Sequence, residues 1–166
     1  SRNFGSQMAF KSGMEIAKGD CVVLLDGDLQ DPPQLILKMY DKWIKGYEVV
    51  YGIRSKRDMN ILIELPYKIF YRIFSSLSYI KIPHDAGDFS LLDKKVFKKM
   101  LECNERDLFL RGIRAYVGFK QIGVRYRRPE RRFGKSTNNF WSNIEWAKKG
   151  IFSYSNTPLT ALTYLG

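Results

Sequence analysis

Histidine and cysteine are scarce in this sequence, and their scarcity excludes several kinds of active site. His84 is the only histidine, so a mechanism that needs two or three histidines is excluded. The two cysteines, Cys21 and Cys103, lie in apolar or helical surroundings and lack the CxxC spacing of a zinc or redox site. This pattern favours a reduced, cytosolic setting without structural zinc.

The chain also lacks internal repeats, low-complexity tracts and Gly/Ser-rich linkers, so we expect one domain. Its content of 45% apolar and 27% charged residues is typical of a folded protein and excludes a disordered one. The sequence opens at Ser1 within a helical pattern. We therefore expect further residues before it in the parent protein.

Positive charge is concentrated in the second half of the chain. Residues 1–93 carry 12 Lys/Arg and 12 Asp/Glu, whereas residues 94–166 carry 16 and 5, which accounts for the net charge of +11. A one-sided basic field attracts polyanions. Composition alone leaves nucleic acid, an anionic membrane face and a phosphorylated substrate open.

Apolar runs alternate with amphipathic stretches along the chain. Strands are predicted at about 21–25, 47–53, 89–92 and 120–127, and helices at about 3–18, 33–45, 62–79, 94–102 and 107–116. This alternation predicts an α/β fold, with a mostly parallel sheet and flanking helices. The uninterrupted apolar run at 21–25 predicts a strand covered on both faces.

The last part of the chain differs in character. Residues 138–152 place Trp141 and several other apolar side chains largely on one helical face, away from Lys148 and Lys149. Such a helix belongs either to a core or to a membrane interface, and both interpretations stay open. The apolar stretch 158–165 is shorter than the roughly 20 residues of a membrane span, so whether it begins one is also open.

A candidate metal site follows the first predicted strand. Asp26 and Asp28 flank Gly27 at the carboxyl end of this strand, where α/β sheets gather their ligands. Two such carboxylates can share Mg²⁺ or Mn²⁺, and Gln30 could orient water or add a carbonyl ligand. Because a DGD triplet is also a common turn, the prediction depends on its extended context, LQDPP.

A longer string around this triplet carries a family resemblance. NFGSQMAFKSGMEIAKGDCVVLLDGDLQDPP resembles the inverting family-2 glycosyltransferases, and most of all the polyprenyl- and dolichyl-phosphate glycosyltransferases, whose pattern here is close to DADLQDPP. GIRSKRD, DAGDFSLLD, FLRGIRAYVGF and YRRPERRFGKS follow in the matching order. The resemblance implies a GT-A (Rossmann-like) fold, of which residues 1–137 would be the C-terminal part. Residues 138–166 would form an interface helix and the start of a membrane segment, and the isolated chain is expected to be inactive.

The resemblance also implies a reaction, the transfer of a sugar from a nucleotide-sugar donor to a polyprenyl phosphate with inversion. A bound Mg²⁺ or Mn²⁺ would neutralise the departing diphosphate. Asp28 is the preferred direct ligand, and Asp26 is a ligand or a partner of the ribose or of metal-bound water. In the family an acidic residue of the DAGD segment faces the acceptor as a proposed base, and we prefer Asp88 to Asp85. Because a phosphate monoester is mostly dianionic at neutral pH, Asp88 could instead position the acceptor.

Basic residues are expected to bind the acceptor phosphate. The family uses an Arg near the lipid phosphate in the segment of Arg54, and arginine suits this task because its planar fork grips phosphate through two hydrogen bonds. The family pattern Y-x-R-x-x-R-x-x-G-x-S-K fits Tyr126, Arg128, Arg131, Gly134 and Ser136. Its final Lys is replaced by Thr137, and Lys135 is expected to compensate.

Two other functions agree less well with the sequence. A family-2 enzyme that acts on a glycan or another lipid acceptor would not need the arginines that are expected to bind phosphate. A basic module that binds nucleic acid or membrane would leave the predicted metal-binding and acceptor-facing carboxylates without a function. No nucleic-acid-binding signature is present, so no nucleic-acid partner is predicted. The expected location is the cytosolic membrane face. The sugar, the prenyl length and self-association into a homo-oligomer stay open.

Overall fold

A computed structural model describes residues 2–28, 30–55, 83, 86–105, 108–127 and 163–164. Its helices are α1 (Ser6–Ile16), α2 (Leu35–Ile44), α3 (Lys94–Leu101) and α4 (Leu110–Tyr116). Its strands are β1 (Cys21–Leu24), β2 (Val49–Arg54), β3 (Ala86–Asp93) and β4 (Gln121–Tyr126). The predicted helix at 62–79 and the segments 138–152 and 158–165 lie outside the described residues.

The four strands form one sheet in the order β1-β3-β2-β4. β2 and β4 are parallel, from Val49 opposite Gln121 to Arg54 opposite Tyr126. β3 lies between β1 and β2 and is antiparallel to both. The predicted α/β class is confirmed and three of the described strands share a direction, but the reversed β3 was not predicted.

Helices cover both faces of this sheet. One core lies under α1, α3 and α4 and includes Met14, Val49, Leu92, Phe97 and Ile113. The other lies under α2 and includes Met39, Val50, Phe89, Leu91 and Tyr126. Neighbouring residues of β2 and β3 therefore alternate between two cores, which explains why these strands are almost continuously apolar.

β1 lies at the edge of the described sheet. Val22 packs against the core of α1, α3 and α4, and Val23 packs against the core of α2. Both faces of β1 are thus covered, as predicted, although Leu24 is its only buried residue and the other three are half-buried.

The helices seen within these described ranges are short. None of them has the length and hydropathy that a membrane-spanning helix requires.

Candidate active site at the carboxyl edge of the sheet

The candidate residues gather at one edge of the sheet because of the strand directions. β1, β2 and β4 end at this edge, and the antiparallel β3 begins there: Leu24 is opposite Ser90, and Ile53 is opposite Ala86. The loop after β1, Arg54 at the end of β2 and Asp88 near the start of β3 consequently share this edge. We call it the carboxyl edge.

The loop after β1 carries the predicted metal ligands. Asp26, Asp28 and Gln30 are half-buried, and Gly27 between the two aspartates is exposed. The backbone N–H of Gln30 donates a hydrogen bond of 3.1 Å to Oδ1 of Asp28, which fixes this carboxylate within a tight turn. In the part of the chain that the structure describes, no three Asp, Glu, His or Cys side chains come together as a metal-binding group. Any metal held by the two aspartates would need further oxygen ligands from substrate and water.

Asp31 anchors this loop to the far strand of the sheet. Its side chain is 1% exposed, and Tyr126 of β4 donates its hydroxyl hydrogen bond to Oδ1 of Asp31. Burial, followed by the hydrogen bond to Asp31, raises the pKa of Tyr126 to about 12, against the opposing effect of Arg54. Tyr126 therefore stays protonated and remains the donor over the physiological pH range.

Asp88 is held by a clamp of side chains from two helices. Arg111 of α4 donates from Nε to Oδ1 at 3.0 Å and from Nη2 to Oδ2 at 3.2 Å. Gln7 of α1 donates from Nε2 to Oδ2 at 3.1 Å, and its Oε1 accepts a 2.9 Å bond from the backbone N–H of Leu110. Both oxygens of Asp88 are thus engaged, and the clamp joins α1, β3 and α4.

The clamp changes what Asp88 can do chemically. Burial alone would raise the pKa of Asp88, but the charge and hydrogen bonds of Arg111, with Arg114 and Gln7, outweigh it and lower the pKa below its ordinary value. A carboxylate with a lowered pKa stays ionised and is a weaker proton acceptor. The geometry therefore favours a positioning role for Asp88, and its role as a base stays a prediction.

Arg114 is a buried cation behind the clamp. Its side chain is 3% exposed, Nη1 donates to the carbonyl of Gly87 at 3.1 Å, and its guanidinium lies 5.1 Å from the ring centre of Tyr51. Nη2 is buried and has no hydrogen-bond partner among the described residues. Burial lowers the pKa of Arg114 to about 10, partly offset by Asp88, so Arg114 remains charged at neutral pH. Asp88 thus lies between the positive charges of Arg111 and Arg114.

Arg54 approaches the same part of the carboxyl edge from β2. Its guanidinium packs on Gly87 so closely that a Cβ at position 87 would lie 2.9 Å from Nη2. The pairing of β2 with β3 is irregular here, since Gly52 alone spans the distance that Gly87, Asp88 and Phe89 span on β3. Such bulges re-aim side chains and are common beside active sites.

The structure brings together half of the predicted site. Asp26, Asp28, Gln30, Arg54 and Asp88 lie along the carboxyl edge, whereas Asp85 and the phosphate-binding candidates Arg128, Arg131, Lys135 and Ser136 lie outside the described residues. The sequence did not predict the residues that hold the site in place, which are Gln7, Asp31, Arg111 and Arg114. Each lies in a segment that carries the family resemblance. No spacing rule, however, connects Gln7 with Asp88, which is 81 positions away.

Comparison with known proteins identifies the family. Residues 1–101 match the sequence model described as "Glycosyl transferase family 2". The chain belongs to this family. The predicted resemblance is thereby confirmed, and with it the GT-A (Rossmann-like) type of the α/β fold.

Several relatives of this family-2 glycosyltransferase align with its whole length. The uncharacterized glycosyltransferase YkcC of Bacillus subtilis is 43% identical over 167 residues, which are 100% of this chain and 52% of YkcC. The bactoprenol glucosyl transferase of Shigella phage SfV is 37% identical over 100% of this chain and 54% of its own length. The chain thus spans about half the length of the relatives it matches.

Proposed function

We propose that this family-2 glycosyltransferase transfers a sugar from a nucleotide-sugar donor to a polyprenyl phosphate, with inversion at the anomeric carbon. The observation that carries the proposal is the composition of the carboxyl edge. The loop of Asp26 and Asp28 lies at this edge, and so do the arginines Arg54, Arg111 and Arg114. Carboxylates suit a cation at the donor diphosphate, and arginines suit an anionic acceptor. The bactoprenol glucosyl transferases among the relatives support the same acceptor class.

The carboxylate pair fits Mg²⁺ or Mn²⁺ because both are hard cations that prefer oxygen ligands. Asp28, held by the N–H of Gln30, would contact the cation directly, and Asp26 would complete the protein's share of ligands. The cation would supply positive charge where the leaving diphosphate develops negative charge. The Asp31–Tyr126 hydrogen bond would hold the loop after β1 in place.

The acceptor side needs positioning more than proton removal. An oxygen of the lipid phosphate attacks the anomeric carbon, and the bond between that carbon and the diphosphate oxygen breaks. Because a phosphate monoester has a second pKa of about 6, most of the acceptor is a dianion at neutral pH and requires no strong base. We propose Arg54, Arg128, Arg131, Lys135 and Ser136 as phosphate-binding residues, Asp85 as a residue facing the acceptor, and Asp88 as the residue that orients this segment.

The proposed location is the cytosolic face of a membrane, because the polyprenyl acceptor is lipid-borne. The remaining proposed partners are the nucleotide sugar and the membrane surface. Acidic headgroups attract basic protein segments at such a face.

A transfer assay tests the reaction. Membranes from cells that express the full-length protein receive a panel of radiolabelled nucleotide sugars, with undecaprenyl phosphate or unphosphorylated undecaprenol, and with Mn²⁺ or a chelator. We expect label in the organic phase only with the phosphorylated lipid and metal.

Two variants make the assay specific. Asp28→Asn should lower the rate at least about 100-fold, as removal of a transition-state charge stabiliser does. The control Asp20→Asn changes an 86% exposed side chain on the other end of β1 and should keep the rate. Equal transfer in the presence of chelator would overturn the metal role. Label in a glycan or in unphosphorylated lipid would show the alternative acceptor class.

A further inference from the structure

α2 is apolar on two sides. Leu35 and Met39 are buried against the sheet, as expected for a helix on an α/β core. On the solvent side, Leu37 is 72% exposed, Tyr40 46% and Ile44 63%. Spacings of three and four residues place these three side chains in one line, about 10 Å long at 1.5 Å per residue. We call this line the α2 stripe.

Positively charged side chains lie beside the α2 stripe. Helical spacing puts Lys38 and Lys45 along one side of it, and Asp41 is the only carboxylate in α2. Lys38 also lines a cleft of about 290 Å³ between the start of α2 and the end of β4, to which β4 and the residue after it contribute the exposed Arg125 and Arg127. The surface therefore combines an apolar line with a surplus of positive charge.

This surface borders the carboxyl edge. α2 begins four residues after Asp31, the residue that fastens the candidate metal loop to Tyr126. A lipid-borne acceptor under the proposed function has to reach this edge from a bilayer, so a membrane-contacting face is expected beside it. The position thus agrees with the chemistry of the surface.

We infer that the α2 stripe, with Lys38, Arg125 and Arg127 beside it, is a surface that binds an anionic lipid bilayer. Leucine, isoleucine and tyrosine side chains enter the interface between headgroups and acyl chains, where helices with one apolar and one basic side lie in the membrane plane. The lysine and arginine head groups stay at the level of the lipid phosphates. Acidic headgroups match the charge of this surface, whereas a zwitterionic bilayer offers no net attraction.

The opposite face of the sheet supplies a matched control. Ile16 at the end of α1 is 79% exposed, more than any residue of the α2 stripe, yet α1 packs on the face away from α2. Exposure alone would make Ile16 respond to lipid in the same way as Leu37. The inference requires that it does not.

Site-specific fluorescence tests the inference. Cys21 and Cys103 are replaced by Ser, and Leu37→Cys, Ile44→Cys and Ile16→Cys are each labelled with an environment-sensitive nitrobenzoxadiazole dye. Vesicles of phosphatidylcholine with or without phosphatidylglycerol are then added to the full chain. We expect a blue shift and a several-fold rise in emission at positions 37 and 44 with phosphatidylglycerol only, and neither at position 16.

A charge variant adds a second arm. Lys38→Glu with Arg127→Glu should lower the response at position 37 several-fold, while Lys98→Glu on the exposed side of α3 should leave it unchanged. No response at 37 and 44, or an equal response at 16, would overturn the inference. A response that grows with protein concentration in the absence of lipid would also overturn it, because a second copy would then cover the stripe. The assay involves no sugar transfer, so its outcome is independent of whether the transfer assay succeeds.

Discussion

At the scale of single residues, the carboxyl edge depends on polar groups whose partners lie far away in the sequence. Asp88 is engaged by Arg111 and Gln7, and its side chain is only 11% exposed. Removing one member of such a pair leaves the other charge buried without compensation, which costs more than removing both. This asymmetry distinguishes a clamp from a base, because the loss of a base cannot be compensated by a change in its neighbour.

We expect Arg111→Met to lower the free energy of unfolding by about 2–3 kcal/mol, somewhat less than for a fully buried pair because Arg111 is 33% exposed. The double variant with Asp88→Asn should cost less than the sum of the two single changes. Urea unfolding monitored by circular dichroism measures both values. Lys99→Met removes an exposed ion pair with Glu102 and is the control. Additive costs of the two substitutions would contradict the clamp.

The stabilisation by Asp88 should depend on pH in acid. Its folded-state pKa is lowered, so its contribution is complete above the unfolded pKa of about 4 and is lost as the pH falls through the folded-state value. We therefore expect the difference in Tm between wild type and Asp88→Asn to be constant near neutrality and to shrink in acid. A difference that persists unchanged to about pH 2 would mean that the charge of Asp88 is unimportant.

Tyr126 should show the opposite dependence. Its folded-state pKa of about 12 is raised, so its contribution is complete below the unfolded pKa of about 10 and is lost as the pH rises toward 12. We expect Tyr126→Phe to cost about 1–3 kcal/mol at neutral pH, because it removes the hydroxyl donor from the buried carboxylate of Asp31. Thermal unfolding of both proteins as a function of pH measures the effect. The wild type should lose its advantage in alkali.

At the scale of elements, α2 carries apolar side chains of two kinds, those packed in the core and those exposed on the surface. Met39 is fully buried, whereas Leu37 is 72% exposed. We expect Met39→Ala to cost about 2–5 kcal/mol through lost burial and a cavity, and Leu37→Ala to change stability by less than about 0.5 kcal/mol. Chemical denaturation of the two variants gives the comparison. A large cost for Leu37→Ala would mean that other parts of the chain pack on the α2 stripe.

The sequence predicted most elements, but it did not predict that β3 runs opposite to the other described strands. β1 and β2 are largely apolar, and β4 places apolar residues at every second position, so the positions of these strands were predicted to within a few residues. β3 begins three residues earlier than predicted, since Ala86, Gly87 and Asp88 are residue types depleted in strands. Its antiparallel direction is also absent from the pattern, because alternation of apolar residues is the same in both directions.

The site was predicted in part for a related reason. Asp26 and Asp28 follow the end of β1 and Arg54 is the last residue of β2, and these positions, together with the family resemblance of their segments, made them candidates. The clamp on Asp88 was not predicted, because Arg111 and Gln7 come together with it only through the packing of α4 and α1 on the sheet. Asp31 lies in a segment that carries the family resemblance. Its burial, however, depends on Tyr126 of β4, which comes 95 positions later in the sequence.

At the scale of the whole molecule, the two cores share the same strands. Val49 and Leu92 belong to the core of α1, α3 and α4, while their neighbours Val50 and Leu91 belong to the core of α2. Neither core can be lost without disturbing β2 and β3. The two helical layers are therefore expected to unfold together.

We expect Met39→Ala in α2 and Ile113→Ala in α4 each to lower the midpoint of a single unfolding transition that both helical layers share. Trp43 on α2 reports one layer by fluorescence once Trp141 and Trp146 are replaced by Phe, and circular dichroism reports the whole chain. The two probes should give coincident curves in each variant. A fluorescence transition that precedes the circular dichroism transition only in Met39→Ala would show that α2 unfolds separately.

Gly87 has a consequence for how this protein can change over evolutionary time. One arginine packs against its α-carbon and another binds its carbonyl oxygen, so any side chain at position 87 would meet the guanidinium of Arg54. The Cβ of an alanine there would lie 2.9 Å from Nη2 of Arg54, so the end of the Arg54 side chain would have to shift. Positions 87 and 54 are therefore coupled: a lineage that gains a side chain at position 87 has to accommodate it by moving the end of Arg54, the residue proposed to bind the acceptor phosphate.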